Sequence, residues 1–134
     1  MTEPAFLSID DVLLFHDEQI SRYGGLHGLR DMVLLQSAVA QPQATFEGQY
    51  LHQDIFEMAA AYLFHIVQNH PFMDGNKRVG LEAALVFVAL NGYQSKAEVD
   101  ALVNMVRSVA RGKTGKRGVA AFFRKYTRRT PRRS

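Results

Sequence analysis

Residues 69–80 read NHPFMDGNKRVG, and within nine positions they hold His70, Asp74, Asn76, Lys77 and Arg78. A histidine can take a proton from an attacking hydroxyl at neutral pH. A carboxylate beside a polyphosphate is the usual holder of a magnesium ion. A lysine and an arginine at the first turn of a helix sit where free backbone N–H groups already attract anions. A plain turn accounts for part of the stretch, with His70-Pro71 as a helix stop, Asp74-Gly75 as a turn and Asn76 as an N-cap. It does not account for Lys77 and Arg78. Cations at a helix N-terminus cost a few tenths of a kcal/mol each, the reverse of the roughly 0.3–1 kcal/mol that an acid gains there. An anion among them removes the conflict. Proton acceptor, metal carboxylate and phosphate clamp together are what transfer from a nucleoside triphosphate needs. Phe72 reads as an apolar anchor for the loop.

The flanking segments must position these groups. Ser8-Ile9-Asp10-Asp11 resembles a capping box and opens a helix over 9–23, with Val12, Leu13, His16 and Ile20 on one face and Gly24-Gly25 at its end. Asp31 caps a short helix over 32–40 that Pro42 stops, and 41–53 reads as a loop holding Phe46, Gly48 and Tyr50. Asp54 caps a helix running to 69, which Pro71 breaks, and a further helix fits 76–90, with Gly92 as its stop. Ser95-Lys96-Ala97-Glu98 has the letters of a full capping box, ahead of Val99, Leu102, Val103, Val106 and Val109 at helical spacing. The last helix is expected over 117–128, burying Val119, Phe122, Phe123 and Tyr126. Alternating strand patterns are scarce, so the fold class is all-α, a bundle of about six helices. The segments at 54–69 and 76–90 are apolar nearly all round and belong at its centre. The charged stretch therefore joins the two most buried helices.

At 134 residues the chain suits one domain, expected over 1–126, followed by a basic tail over 127–134 that should fray. There are no cysteines, which excludes disulfides and thiolate metal sites and fits a reducing compartment. The start, MTEPAFLSIDD, shows no basic segment followed by an apolar one, and no apolar run reaches the ~20 residues of a membrane span. The expected location is cytoplasmic, with no membrane partner. The net charge of +3 hides a division: residues 1–100 carry all 13 acids and five bases, a sum of 5 − 13 = −8, whereas 101–134 carry eleven bases and no acid. Two of the five bases in the acidic part are Lys77 and Arg78.

The same nine residues, His70-Pro71-Phe72-Met73-Asp74-Gly75-Asn76-Lys77-Arg78, resemble the signature of the Fic superfamily, HPFx(D/E)GN(G/K)R. Gly28-Leu29-Arg30-Asp31, Leu34-Leu35-Gln36-Ser37-Ala38 and Phe46-Glu47-Gly48 are similar to its death-on-curing (Doc) branch, the toxins of type II toxin–antitoxin modules, and the likeness runs over about 6–125. The resemblance implies a compact six-helix bundle. It implies that His70 activates a hydroxyl of a target protein, that Asp74 binds Mg²⁺, that Gly75 and Asn76 lie against the phosphates of ATP and that Lys77 and Arg78 clamp them. Pro71 and Phe72 would be structural, and Phe46, Glu47 and Gly48 would form a flap that docks the target. Fic enzymes that transfer AMP usually have glycine where this chain has Lys77, and a second arginine where it has Leu81. Doc-like toxins have the lysine, and in that branch the nucleotide is thought to bind reversed, so that the γ-phosphate is transferred. Glu82, one turn from Arg78, is placed to pair with it.

Many Fic proteins inhibit themselves through a helix bearing (S/T)xxxE(G/N). Glu47-Gly48 comes nearest, but Gln43 stands four residues before Glu47. The expectation is an inhibitor in trans, a small antitoxin whose C-terminal segment folds onto this protein. The function implied is an ATP-dependent protein kinase toxin, with translation elongation factor Tu as the type of target. The alternatives are AMP transfer and a catalytically idle antitoxin-binding protein. Gly112-Lys113-Thr114 looks like the end of a phosphate-binding loop, but the glycine required five residues earlier is Arg107 and a helix precedes it, so it reads as a basic turn. The arginine-rich C-terminus carries no nucleic-acid motif, and direct nucleic-acid binding is not expected.

Overall fold

The structure is a computed structural model and describes residues 3–131; the last three residues of the expected basic tail lie outside the described part. It is mainly helical, as the sequence predicts. The helices are α1 (Ile9–Tyr23), α2 (Met32–Ala40), α3 (Ile55–Asn69), α4 (Asn76–Leu90), α5 (Val99–Ala110) and α6 (Lys116–Tyr126). Two short antiparallel strand pairs accompany them, β1 (Thr45–Phe46) with β2 (Gln49–Tyr50) and β3 (Tyr93–Ser95) with β4 (Thr127–Arg129). No helix among the described residues is long and apolar enough to cross a membrane.

Local chemistry sets the helix starts. The Ser8 hydroxyl accepts from Asp11 N–H while the Asp11 carboxylate accepts from Ser8 N–H, a reciprocal box that satisfies two otherwise unpaired donors. Asp31 and Asp54 accept from the third helical amide of α2 and α3. These three caps are why α1, α2 and α3 begin where the sequence places them.

Helices α3 and α4 lie at the centre. Ala59, Ala61, Leu63 and Ile66 of α3 and Val79, Ala83, Ala84 and Phe87 of α4 are fully buried. Gly80 lets their axes approach, since a Cβ there would stand 3.0 Å from Val67 Cγ2 and 3.2 Å from the Leu63 carbonyl oxygen. α1 packs on α4, and α2 and α6 pack on α3. The N-terminal segment is fastened to this centre: Tyr62 accepts from Leu7 N–H, Asn91 bonds both the N–H and the carbonyl of Ala5, and Phe6 stacks on Phe87.

Three local expectations need correction. The Ser95 to Glu98 segment forms no capping box; Ser95 belongs to β3 and its hydroxyl accepts from Ala97 N–H instead. Glu98 is the N-cap of α5, without a side-chain cap bond, and Val99 remains 71% exposed. The last helix ends at Tyr126 rather than at 128, because Thr127–Arg129 leave it to pair with Tyr93–Ser95. The start of the expected frayed tail is thus a strand, with Thr127 buried and Thr130 N–H bonded to the Gly92 carbonyl.

Candidate active site

The α3–α4 joint begins with a helix that cannot continue. Pro71 lacks an amide hydrogen, and His70 before it turns into the left-handed region, with φ 51° and ψ 54°. Histidine, asparagine and aspartate enter this region more readily than other side chains, but still at a cost. Gly75 repeats the conformation at φ 81° as the N-cap of α4. Between these two reversals the chain folds back on itself, and Asn76 closes it. Its side-chain oxygen accepts from Phe72 N–H at 3.0 Å, and its amide nitrogen donates to the Phe72 carbonyl at 3.0 Å and to His70 Nδ1 at 3.1 Å. Asn76 is therefore the first residue of α4 and not its cap.

A second segment braces this loop. Residues 24–31, between α1 and α2, run antiparallel to it, with Leu29 bridged to Phe72. The Pro71 carbonyl accepts from the N–H groups of Arg30 and Asp31, and Gly28 accepts from Met73 N–H. The Arg30 guanidinium donates to the carbonyls of His70 at 2.7 Å and Asn69 at 2.9 Å, placing a cation on the negative end of α3. From below, His16 of α1 stacks on Phe72 with ring centroids 4.0 Å apart, and its Nε2 lies 3.0 Å from the Asp74 carbonyl oxygen.

The Asp74 carboxylate faces outward on this frame. It accepts from Leu26 N–H at 3.2 Å and from Gly75 N–H at 2.9 Å. These two amides, Leu26 first, hold its pKa below the ordinary carboxylate value, and Arg78 and Lys77 add to the effect while burial opposes it. The group is ionised at neutral pH and each oxygen keeps a free lone pair. Gly25 makes room for it, since a Cβ at that position would stand 2.7 Å from Asp74 Oδ2.

An open cleft of about 500 Å³ lies over the start of α4. Its lining brings together His70, Asp74, Gly75, Asn76, Lys77 and Arg78, with Val67, Gln68 and Ala110 as walls. Arg78 reaches the Gly24 carbonyl at 3.4 Å and lies 5.5 Å from the centre of the Tyr23 ring. It does not take the expected partner, for the Glu82 carboxylate accepts instead from Gln19 at 2.7 Å. Pro71 and Phe72 are buried beneath the cleft. A slightly larger cleft of about 540 Å³, lined by His52, Glu57, Lys116 and Arg124 among others, holds none of the signature residues.

Phe46, Glu47 and Gly48 do not line the cleft. They form the tip of a two-residue hairpin between β1 and β2. Glu47 and Gly48 both have positive φ, at 51° and 78°, as a tight turn of this handedness requires, and Phe46 is 66% exposed.

Among the described residues no three side chains group to form a metal site by themselves. One ionised carboxylate beside a cationic helix start instead fits a magnesium ion that arrives with phosphate oxygens and keeps most of its own water. The free amides at the first turn of α4, with Lys77 and Arg78, fit those phosphates.

Residues 6–88 match the Fic/DOC family. The chain belongs to that family. It is 38% identical over 88 residues to the protein named "Protein kinase doc" of Escherichia phage P1, a stretch covering 66% of this chain and 69% of that protein. It is 42% identical over 78 residues to "Toxin Doc" of Mycolicibacterium smegmatis (strain ATCC 700084 / mc(2)155), covering 58% and 60%.

Within this Fic/Doc chain, the sequence likeness of Gly28-Leu29-Arg30-Asp31 marked part of the bracing segment without giving its role. The bonds of Leu26 and Arg30 to the loop, and the space that Gly25 leaves for Asp74, went unread, because Gly24 and Gly25 look like a helix stop. A further signal was His16, a polar residue on the otherwise apolar face of α1.

Proposed function

We propose that this chain is a Doc-type toxin that transfers the γ-phosphate of ATP to a hydroxyl side chain of a target protein. The observation that carries the reading is the single cleft that gathers His70, the ionised Asp74 and the cationic first turn of α4. The triphosphate lies across the amides of that turn, with Lys77 and Arg78 balancing its charge. Asp74, together with the phosphates, would hold a magnesium ion, which would supply neutralisation of the charge that builds up during transfer. His70 accepts the proton of the target hydroxyl as its oxygen bonds to the γ-phosphorus and the bond to the β-phosphate oxygen breaks, releasing ADP. Lys77 favours γ-phosphate over AMP transfer, because its side chain fills space and adds charge where glycine would leave room for a phosphate. The exposed Phe46 and the hairpin tip offer an edge for an extended segment of the target, a protein of the elongation factor Tu type. The absence of a self-inhibitory signature in the sequence supports control by an antitoxin in trans, in the cytoplasm.

The test uses bacterial lysate and ATP labelled at either the α or the γ position. Label is expected in a protein from the γ position, and label from the α position alone would establish AMP transfer instead. His70→Asn, which keeps a residue tolerant of positive φ, is expected to lower transfer by at least ~100-fold and to abolish growth arrest at equal expression. Undiminished arrest would leave an idle, antitoxin-binding protein as the better account.

A further inference from the structure

The hydrogen bonds of Asn76 fix more than the loop. An asparagine amide can be turned end for end, but here Phe72 decides its orientation, because its N–H needs the side-chain oxygen and its carbonyl needs the NH₂ group. With the amide so oriented, the group 3.1 Å from His70 Nδ1 is a donor. His70 Nδ1 must therefore accept, and in the neutral ring the single proton sits on Nε2. That leaves the nitrogen free for a substrate carrying a hydrogen, whereas a proton acceptor needs a lone pair there.

We propose that Asn76 is a positioning residue that stores His70 in a resting, Nε2-protonated tautomer, and that a nucleotide phosphate releases it. This rests on the proposed phosphotransfer function. Both N–H bonds of the Asn76 amide are already used, one by the Phe72 carbonyl and one by His70 Nδ1. A phosphate oxygen in the cleft can bond this buried amide only by displacing one of the two. The Phe72 carbonyl is fixed between two backbone reversals and by the bridge to Leu29, whereas an imidazole needs only a side-chain rotation to leave. His70 yields. Its Nδ1 then takes a proton from water as Nε2 gives one to water, with no net change, and Nε2 gains the lone pair that accepts the hydroxyl proton. The histidine is thereby withheld from proton acceptance until a phosphate is seated.

Two-bond ¹H–¹⁵N correlation spectra distinguish the tautomers of a neutral imidazole. The protein has five histidines, and His70→Asn assigns the relevant one. At alkaline pH the ligand-free protein is expected to show His70 protonated at Nε2, and saturation with the β,γ-imido analogue of ATP and Mg²⁺ to convert it to the Nδ1-protonated pattern. Asn76→Asp offers a carboxylate acceptor to Nδ1 and is expected to give the Nδ1 pattern without nucleotide. A ligand-free wild type already protonated at Nδ1 overturns the inference and leaves the proposed function standing. An unchanged Nε2 pattern at saturating nucleotide overturns the release. Failure to bind any nucleotide overturns the release and the proposed function together, while the spectrum of the ligand-free protein still decides the resting tautomer.

Discussion

At the residue scale, the site depends on backbone conformations that few residues adopt. His70 and Gly75 bound the loop in the left-handed region, and Gly25 at φ 118° carries no side chain because the Asp74 carboxylate occupies the space. Gly25→Ala combines backbone strain with a 2.7 Å approach to Asp74 Oδ2 and is expected to destabilise the fold by about 1–3 kcal/mol. Gly24→Ala, also at positive φ but with nothing within 4 Å, pays the backbone cost alone and serves as the control. Urea unfolding of the two variants measures the difference, and titration with Mg²⁺ and ATP reads the displaced carboxylate. Equal losses in the pair would show that the space beside Asp74 is not critical. The signature residues were legible in sequence because the anomaly was local: two cations stand where a helix start prefers acids. Gly25 was not, because glycine after a helix has an adequate explanation at the helix end itself.

At the scale of elements, the contact between α3 and α6 carries a second set of titratable groups. Burial, then the charge of Lys116 and of His52, pushes His65 down to about 4, and burial first and Lys116 second lower His52. Lys116 Nζ lies 3.1 Å from His52 Nε2, and burial lowers its pKa as well. The native state thus holds His65 neutral. The stability this provides is complete above the ordinary histidine value of 6.5 and is lost as pH falls toward about 4. The urea midpoint is expected to fall over that window, and His65→Leu is expected to flatten part of the slope. A slope unchanged in the variant would assign the acid sensitivity elsewhere. Helix positions themselves were readable because Ser8, Asp31 and Asp54 are short-range signals. The Ser95 to Glu98 segment misled because Ser95 is the last residue of a strand, and the partner of that strand lies more than thirty residues away. No local pattern in Thr127–Arg129 announces a pairing that only the assembled bundle makes available.

At the scale of the molecule, that distant pairing ties the arginine-rich end of the chain to the turn after α4. Tyr93, Gln94 and Ser95 pair with Arg129, Arg128 and Thr127, and the Arg129 guanidinium lies 5.4 Å from the Tyr93 ring centre. Ending the chain at Tyr126 is expected to cost about 1–2 kcal/mol, from the lost cross-strand pairs and the cation–aromatic contact. Equal stability of this truncation and of the full chain in urea would show that the strand is dispensable. The brace formed by residues 24–31 has a wider consequence. It meets residues that line the cleft at three points: Leu26 N–H on the Asp74 carboxylate, the Gly24 carbonyl on the Arg78 guanidinium and the Arg30 guanidinium on the His70 carbonyl. Three groups of the cleft thus share one support outside it, so substitutions within residues 24–31 are expected to alter the surroundings of Asp74, Arg78 and His70 together although none of the substituted residues lines the cleft.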